Sequence, residues 1–291
     1  MTGLRRLGIF LLTNALVLTM LSVVMSFIKV PMDQAWGLLI MCAVFGFGGS
    51  LISLWMSKFT VKLAYKVKLI DPNTASGKLG FVVDTIRKMA EYNKIRMPEV
   101  GVFPSDAPNA FATGATKNKA LIAFSSGLLD SLSEEEIAAV AGHEMTHVIQ
   151  GDMVTMSLMM GLVNTFVMFL ARILAFALDI ALRDNRGRGG LGYFGYMLVV
   201  IVLQNVLFLL AYIPISYFSR QREYRADAGA AKLVNPLAMI SALRAIGGSK
   251  QPVPGKATAA DMAMINNRRK VSLFSTHPSI EARVERLQRM M

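Results

Sequence analysis

Residues 133–151 read SEEEIAAVAGHEMTHVIQG, and this stretch decides how the chain is organised. A serine followed by three glutamates is typical of a capping box, so Ser133 is predicted to begin a helix with Glu136 at its third position. The acidic first turn also suits the positive end of the helix dipole. Apolar residues continue the helix, and Gly151 is predicted to end it.

The predicted helix carries the pattern H-E-x-x-H at His143, Glu144 and His147. Histidines four residues apart on a helix lie one turn apart on the same face, where both imidazoles can reach one Zn²⁺. The glutamate falls near that face, where a carboxylate can serve as the general base of a hydrolase. Packing of two histidines in a core is the simpler explanation, but it does not account for a glutamate at this spacing. The pattern therefore predicts a zinc peptidase with one Zn²⁺ per chain.

A catalytic zinc usually has three protein ligands and one open position, so one ligand remains to be found. The chain has three histidines, and the remaining one is His277. Among the carboxylates Glu223 stands out, because Asp227 follows it four residues later on the same face of a predicted helix. On that face the glutamate could bind zinc while the aspartate holds a ligand histidine by a hydrogen bond. By spacing alone, an ordinary carboxylate pair on a solvated basic helix is an equal alternative.

The hydrophobic residues make up 54% of the chain and are concentrated in blocks, with a mean hydropathy of +0.46. Four runs are long enough to cross about 30 Å of hydrocarbon: residues 9–28, 36–57, 153–182 and 191–215. The first run is predicted to be a retained anchor, because its core is longer than that of a signal peptide and no small-residue cleavage site follows. The third run contains Arg172 and Asp179, which are predicted to face a protein interior or to mark a segment that does not simply span lipid.

These runs divide the chain into four predicted parts. They are residues 1–57 with two transmembrane helices, 58–152 with the H-E-x-x-H pattern, the hydrophobic hairpin 153–215, and 216–291 with the third zinc ligand. Short patterns predict helices over 81–94, 236–246 and 279–290, and strands over 99–103 and 120–124. The predicted fold is therefore mostly α with a small β-sheet, in an integral membrane protein with about four hydrophobic helices and a cytoplasmic zinc peptidase domain.

Basic residues lie before the first run, after the second and after the fourth, which predicts that the N-terminus and both catalytic parts are cytoplasmic. The loop 183–190 is basic for an exterior loop, so the last two runs either span as a hairpin or enter the membrane and return. The net charge of +12 fits lysines and arginines beside anionic lipid, and no nucleic-acid module is found. The single cysteine, Cys42, excludes an intramolecular disulfide and agrees with a cytoplasmic catalytic part.

Together these features resemble the HtpX-type membrane metalloproteases, bacterial relatives of the CAAX prenyl endoproteases. The resemblance covers essentially the whole chain and rests on three motifs among the hydrophobic runs: HEMTH at 143–147, SRQREYRAD at 219–227 and HPSIEAR at 277–283. It implies a gluzincin fold in which His143, His147 and Glu223 bind Zn²⁺.

The same resemblance implies roles for the residues around the metal. Glu144 is expected to be the general base and later the acid toward the leaving amine. Asp227 is expected to hold His143. His277 and Arg283 are expected to stabilise the oxyanion of the tetrahedral state.

The resemblance also implies how substrate is bound and what it is. Asn109 and Ala112 match a segment, 109–114, that forms an edge strand for the backbone of an extended substrate. The expected activity is hydrolysis of misfolded or damaged membrane proteins in quality control and stress response, at the cytoplasmic membrane of a bacterium. A prenyl-protein processing peptidase shares the metal site, although four hydrophobic runs argue against a large multi-span chamber. A catalytically silent scaffold is a third reading, against which the intact Glu144 and Glu223 argue.

Overall fold

The computed structural model describes residues 35–184, 187, 189–248 and 275–291. Its elements, in chain order, are α1 (Ala35–Ala64), β1 (Lys68–Leu69), α2 (Gly77–Tyr92), β2 (Glu99–Phe103), β3 (Ala110–Thr113), β4 (Leu121–Ser125), α3 (Ser126–Ser131), α4 (Glu134–Gln150), α5 (Asp152–Ala181), α6 (Gly192–Leu233), α7 (Pro236–Gly248) and α8 (Ile280–Gln288). The fold is mostly helical with a small mixed sheet, as predicted. The predicted first span over 9–28 lies outside the described residues.

The chain forms two compact units. Of the described residues, the mixed unit contains Leu54–Thr155 and those from Ser216 onward, and the helical unit contains those up to Ser53 together with those within Met156–Ile215. The predicted limits of the four sequence parts remain a prediction.

Three helices, α1, α5 and α6, are long and apolar enough to cross a membrane. The 30 residues of α1 correspond to about 45 Å, more than the roughly 30 Å of a hydrocarbon core. Trp36, Ile40 and Val44, spaced four apart on α1, are exposed in the way expected of a stripe that faces lipid. The remaining predicted span, the first run over 9–28, is the one outside the described residues.

The two charged residues of the predicted third span are both buried in the helical unit. Arg172 donates from Nη1 to the carbonyl oxygen of Met168 at 2.9 Å. Asp179 accepts from the backbone N–H of Leu191 and from Arg183. Both therefore face protein rather than lipid, as expected for polar groups within an apolar helix.

The sheet of the mixed unit has the strand order β1-β2-β4-β3. β2 and β4 are parallel, with Val100 opposite Ile122, whereas β1 and β3 are antiparallel to their neighbours. The strands predicted over 99–103 and 120–124 are confirmed, the second as 121–125. Among the described strands β3 pairs with β4 alone, which makes it an edge strand.

The core of the mixed unit lies between the sheet and helices α2, α4 and α7. Helix α2 forms where an amphipathic helix is predicted, and it buries Val82, Ile86 and Met89 on one face. Phe124 of β4 is completely buried in the same cluster. This packing fixes α4 beside β3, so the helix carrying the two histidines runs next to the open edge of the sheet.

Candidate metal centre and active site

Helix α4 begins and ends as its sequence predicts. Ser133 and Glu136 form the capping box, with the serine hydroxyl accepting from the N–H of Glu136 and the glutamate carboxylate accepting from the N–H of Ser133. Gly151 ends the helix with φ 68°, in the left-handed region where a glycine has no Cβ to strain. Residues 137–148 between these ends are all buried, so the histidines are carried by a rigid helix.

His143 and His147 face each other from consecutive turns of α4. Their Nε2 atoms lie 3.2 Å apart, and their rings meet at an interplanar angle of 88°. Both side chains are buried. The spacing of four residues therefore produces the geometry that the sequence predicts, with both ring nitrogens directed at one point.

Glu223 approaches the same point from helix α6. Its Oε2 lies 3.6 Å from Nε2 of His143, and its Oε1 lies 3.5 Å from Nε2 of His147. In a tetrahedral zinc site with bonds of about 2.0–2.2 Å, neighbouring ligand atoms are about 3.3–3.6 Å apart. The two imidazole nitrogens therefore lie at about the spacing of neighbouring ligands, and each lies at a similar distance from a different oxygen of Glu223. One ligand atom from each of the three residues lies within 4.8 Å of the others, so together they form a buried group that could hold a metal.

Small residues let α6 come close enough to α4 to deliver Glu223. A Cβ on Gly229 would lie 2.3 Å from Oγ1 of Thr146, and one on Gly142 would lie 3.3 Å from Cα of Ala230. Any larger side chain at Gly229 would push the helices apart. The position of Glu223 thus depends on a contact made nearly two helical turns further along α6.

Asp227 contacts His143, and its expected role of holding a zinc ligand stays a prediction. Its Oδ1 lies 3.0 Å from Nδ1 of His143, so the ring nitrogen that faces away from the metal position has a carboxylate partner. Two nitrogens of Arg283, in α8, donate hydrogen bonds to the same carboxylate, Nε to Oδ2 at 2.8 Å and Nη2 to Oδ1. All three side chains are buried.

The arrangement around Arg283 adds to what the sequence predicts. Its hydrogen bonds to carboxylate use Nε and Nη2, whereas Nη1 lies 4.0 Å from Oε2 of Glu223. Its clearest role in the structure is therefore to support Asp227. Stabilisation of the substrate oxyanion by Arg283 stays a prediction.

Asp152 is a site residue that the sequence reasoning missed. Its Oδ2 lies 2.7 Å from Nδ1 of His147, which makes it the counterpart of Asp227 on the second histidine. Arg222 lies beyond it, with Nε 3.7 Å from the same oxygen. The sequence did contain a signal, because Asp152 directly follows Gly151, which ends the helix, and lies five residues after His147.

Glu144 is 2% exposed, and its Oε1 has no hydrogen-bond partner in the described part of the chain. A buried carboxylate oxygen without a partner is costly unless a ligand or water uses it. Burial and the negative charge of Glu223 raise the pKa of Glu144 to about 7, although the positive charge of His143 acts to lower it. A carboxyl that titrates near neutrality is suited to accepting and returning a proton.

His277 also lies at the site. Its Nδ1 is 3.0 Å from Oε2 of Glu223. The segment that carries it is fixed by Ser275, whose hydroxyl donates to the carbonyl of His277 and whose own carbonyl accepts from Arg220 of α6. The structure thus places His277 beside the proposed third ligand.

The site contains more carboxylates than guanidinium groups. Four buried carboxylates surround it, and two guanidinium groups oppose them, which leaves two negative charges when the histidines are neutral. The carboxylates are Glu144, Asp152, Glu223 and Asp227, and the guanidinium groups are those of Arg222 and Arg283. A divalent cation would balance this set once His143 has released its proton, so the charges of these residues are compatible with a bound zinc ion.

The protonation of the two histidines is set by their surroundings. Burial alone would lower the pKa of His143, but hydrogen bonds with Asp227 and Glu223 outweigh it and raise the pKa to about 9. Burial lowers the pKa of His147 despite its bond to Asp152. A metal binds the neutral imidazole, so loading the site requires His143 to release a proton.

The predicted substrate segment lies on and beside β3. Asn109 is completely buried, and its N–H donates to Oγ of Ser125 at 2.8 Å. Ala112 is half-buried in the middle of the strand. The open edge of β3 leaves backbone groups available to an added strand, which is the requirement for binding an extended peptide.

Comparisons with known proteins agree on one family. A model of peptidase family M48 matches residues 80–291. A Protease HtpX homolog from Paracidovorax citrulli is 45% identical over 98% of this chain and 99% of its own length. Protease HtpX from Aeromonas hydrophila is 44% identical over 98% of this chain and 100% of its own. The crystal structure of S. mikatae Ste24p superposes with a TM-score of 0.61 at 21% identity, over 96% of this chain and 62% of that chain, and shows a shared fold.

Proposed function

The chain belongs to peptidase family M48, and from that premise we propose that it is a zinc-dependent endopeptidase of the bacterial cytoplasmic membrane with His143, His147 and Glu223 as its metal ligands. That it is a membrane-bound metalloprotease follows from its family and its nearly full-length similarity to Protease HtpX. The observation that carries the proposal is that two imidazole nitrogens 3.2 Å apart and one carboxylate, donor types that Zn²⁺ takes, meet within 4.8 Å of one another in a buried position.

A zinc ion held by these residues supplies a Lewis acid that polarises a carbonyl oxygen and lowers the pKa of a water molecule. The chain supplies the rest of the chemistry. Glu144 accepts the proton of the attacking water at its buried Oε1 and later gives it to the departing amine. Asp227 and Arg283 keep His143 in the orientation that directs Nε2 into the site.

His277 and Arg283 are proposed to stabilise the negative charge that develops on the carbonyl oxygen of the substrate. Support comes from their positions, since Nδ1 of His277 and Nη1 of Arg283 lie 3.0 and 4.0 Å from the same oxygen of Glu223. A single donor to such an oxyanion typically changes the rate about 10²–10³-fold.

The substrate is proposed to add as an extended strand to the open edge of β3, next to α4. Ala112 lies in the middle of this strand with a small side chain, and buried Asn109 lies just before the strand, with its N–H donating to Oγ of Ser125. Recognition through backbone hydrogen bonds depends little on sequence, which suits misfolded or damaged membrane proteins as substrates.

The active site is proposed to face the cytoplasm in a multi-pass protein. Support comes from the basic residues that follow the second and fourth hydrophobic runs. Contact with anionic lipid would then account for much of the net charge of +12. A shared fold with Ste24p at 21% identity does not extend to a shared substrate, so prenyl-protein processing is not proposed.

The test is paired zinc content and casein proteolysis on the detergent-purified full chain. Wild type is expected to hold one zinc and to cleave casein until a chelator is added. Glu144→Gln is expected to keep zinc and lose cleavage, whereas Glu223→Ala is expected to lose much of its zinc as well. Glu91→Gln, at an exposed carboxylate of α2, is the matched control. Full cleavage by Glu144→Gln, or normal zinc content in Glu223→Ala, would contradict these assignments.

A further inference from the structure

The second histidine of the metal centre has a carboxylate partner outside the H-E-x-x-H and EYRAD motifs. We propose that Asp152 is the positioning residue of His147 and thereby sets the affinity of the metal centre, an inference that rests on the metal site proposed above. Oδ2 of Asp152 lies 2.7 Å from Nδ1 of His147, and both side chains are buried. A carboxylate oxygen only accepts, so Nδ1 carries the proton and Nε2 presents its lone pair to the metal position.

The turn between α4 and α5 explains how Asp152 reaches back to the histidine. Gly151 has φ 68° and ψ 33°, and its N–H donates to the carbonyls of His147 and Val148. Helix α5 begins at the very next residue. The left-handed turn therefore directs the side chain of the first residue of α5 toward the last turn of α4, where His147 lies.

The two histidines are supported in the same way. Nδ1 of His143 has Asp227, which is gripped by Arg283, and Nδ1 of His147 has Asp152, with Arg222 close by. Nε of Arg222 lies 3.7 Å from Oδ2 of Asp152, so this arginine attracts the carboxylate without a direct hydrogen bond. Each of the two histidines thus has a carboxylate at Nδ1, on the side away from the metal position, and a guanidinium group close to that carboxylate.

A carboxylate at the first position of a helix has an ordinary explanation, since it interacts favourably with the helix dipole. Asp152 differs from that case in its contacts. In the described part of the chain its carboxylate hydrogen-bonds to His147 and not to the N–H groups of its own helix. The hydrogen bond to the histidine, rather than the start of α5, is therefore the feature to test.

The experiment compares the zinc affinity of the full-length protein and three variants by competition with a chelator. Asp152→Asn keeps the size of the side chain, Asp152→Ser keeps a residue that favours helix starts but cannot reach Nδ1, and Asp152→Ala removes the interaction. Loss of a partner of a ligand histidine typically weakens metal binding 10–100-fold. We expect about that loss for the serine and alanine variants and a smaller one for asparagine, which can still accept from Nδ1–H.

Glu134→Ser is the matched control, because Glu134 is the exposed first residue of α4 and has the same helix position without a histidine partner. It is expected to bind zinc as wild type does. The visible spectrum of the Co²⁺-loaded protein gives a second readout, since displacement of His147 alters the ligand field. The melting temperature of the metal-free protein shows whether a variant is folded. If Asp152→Ala does not fold, the zinc affinity of Asp152→Asn, which changes the shape of the side chain least, decides the test.

Wild-type zinc affinity in both Asp152→Ser and Asp152→Ala would overturn the inference. An equal loss in Glu134→Ser would also overturn it, because the effect would then belong to helix starts. If wild type itself binds no zinc and cleaves no casein, the proposed function fails instead, so the two failures are distinguishable.

Discussion

Replacing Gly229 by alanine tests whether the contact between α4 and α6 sets the geometry of the metal centre. The added Cβ would lie 2.3 Å from Oγ1 and 2.4 Å from Cγ2 of Thr146, whereas nonbonded atoms rest at about 3.5–4.0 Å. Thr146 is buried and β-branched, so its side chain has little freedom to rotate away. The helices must separate by about 1 Å, and Glu223 moves with α6.

The size of the effect follows from that displacement. Overpacking of a well-packed contact costs about 1–3 kcal/mol of unfolding free energy. A functional site tolerates only about 0.5 Å, and a misplacement of about 1 Å can lower a catalytic rate about 100-fold. We therefore expect Gly229→Ala to weaken zinc binding and to reduce casein cleavage about 100-fold.

Two further variants make the result specific. Thr146→Ala in the Gly229→Ala background removes the two closest atoms and leaves one contact of 2.8 Å, so it is expected to restore most of the zinc affinity. Gly49→Ala is the control, because a Cβ there meets nothing within 4 Å inside helix α1. Wild-type activity in Gly229→Ala, or no recovery in the double variant, would refute the reasoning.

The affinity for zinc is expected to rise up to about tenfold per pH unit between pH 6 and 8, because His143, with a pKa of about 9, must release a proton when the metal binds. Titration calorimetry in two buffers measures the released proton. A zinc affinity independent of pH would contradict this expectation. Glu99 binds two lysines of α1, and although partial burial alone would raise its pKa, these hydrogen bonds and charges lower it. The stability it contributes is therefore present above its unfolded pKa of about 4.3 and is lost as the pH falls toward the folded value. Glu99→Gln is expected to cost less than about 1 kcal/mol at pH 7 and to flatten the fall of melting temperature below pH 5, and an unchanged acid profile would count against this pair. Arg283→Met leaves the carboxylate of Asp227 buried with His143 but without its guanidinium partner, which is expected to cost about 3–5 kcal/mol in chemical denaturation. Adding Asp227→Asn is expected to recover part of this loss.

Local sequence signals predict much of the fold. The capping box at Ser133 and the stop at Gly151 both form, because each depends on side-chain and backbone groups within a few residues. The amphipathic pattern of α2 and the apolar strands β2 and β4 are confirmed for the same reason, since periodicity reports which face is buried. The two-residue strand β1 was not predicted, because its side chains are exposed and carry no pattern.

Sequence reasoning led to the candidate metal ligands and to Asp227 as the partner of a ligand histidine, whereas it did not lead to Asp152 or to the contact of Arg283 with Asp227. A spacing of four residues brings His143 and His147 together on any helix. The same spacing between Glu223 and Asp227 fits a zinc ligand with its partner and a solvated carboxylate pair equally well, and the resemblance to a family favoured the zinc ligand. The bond between Asp152 and His147 depends on the direction in which the chain leaves Gly151, which no spacing rule states. Arg283 was predicted to act on substrate, and its grip on Asp227 arises from the packing of α8 against α6.

Side-chain contacts of α8 with α6, together with that of Ser275 with α6, bring the HPSIEAR segment beside the SRQREYRAD segment. Arg283 binds Asp227, Arg286 lies 4.6 Å above the ring of Tyr224, and Arg220 donates to the carbonyl of Ser275. These three contacts join the end of the chain to successive turns of the helix that carries the third ligand. Because one of them supports the histidine partner Asp227 and another fixes the segment of His277, a change in α8 acts on the metal centre without touching a ligand. The late motif is thus as much a part of the scaffold of the site as it is a candidate for stabilising the substrate.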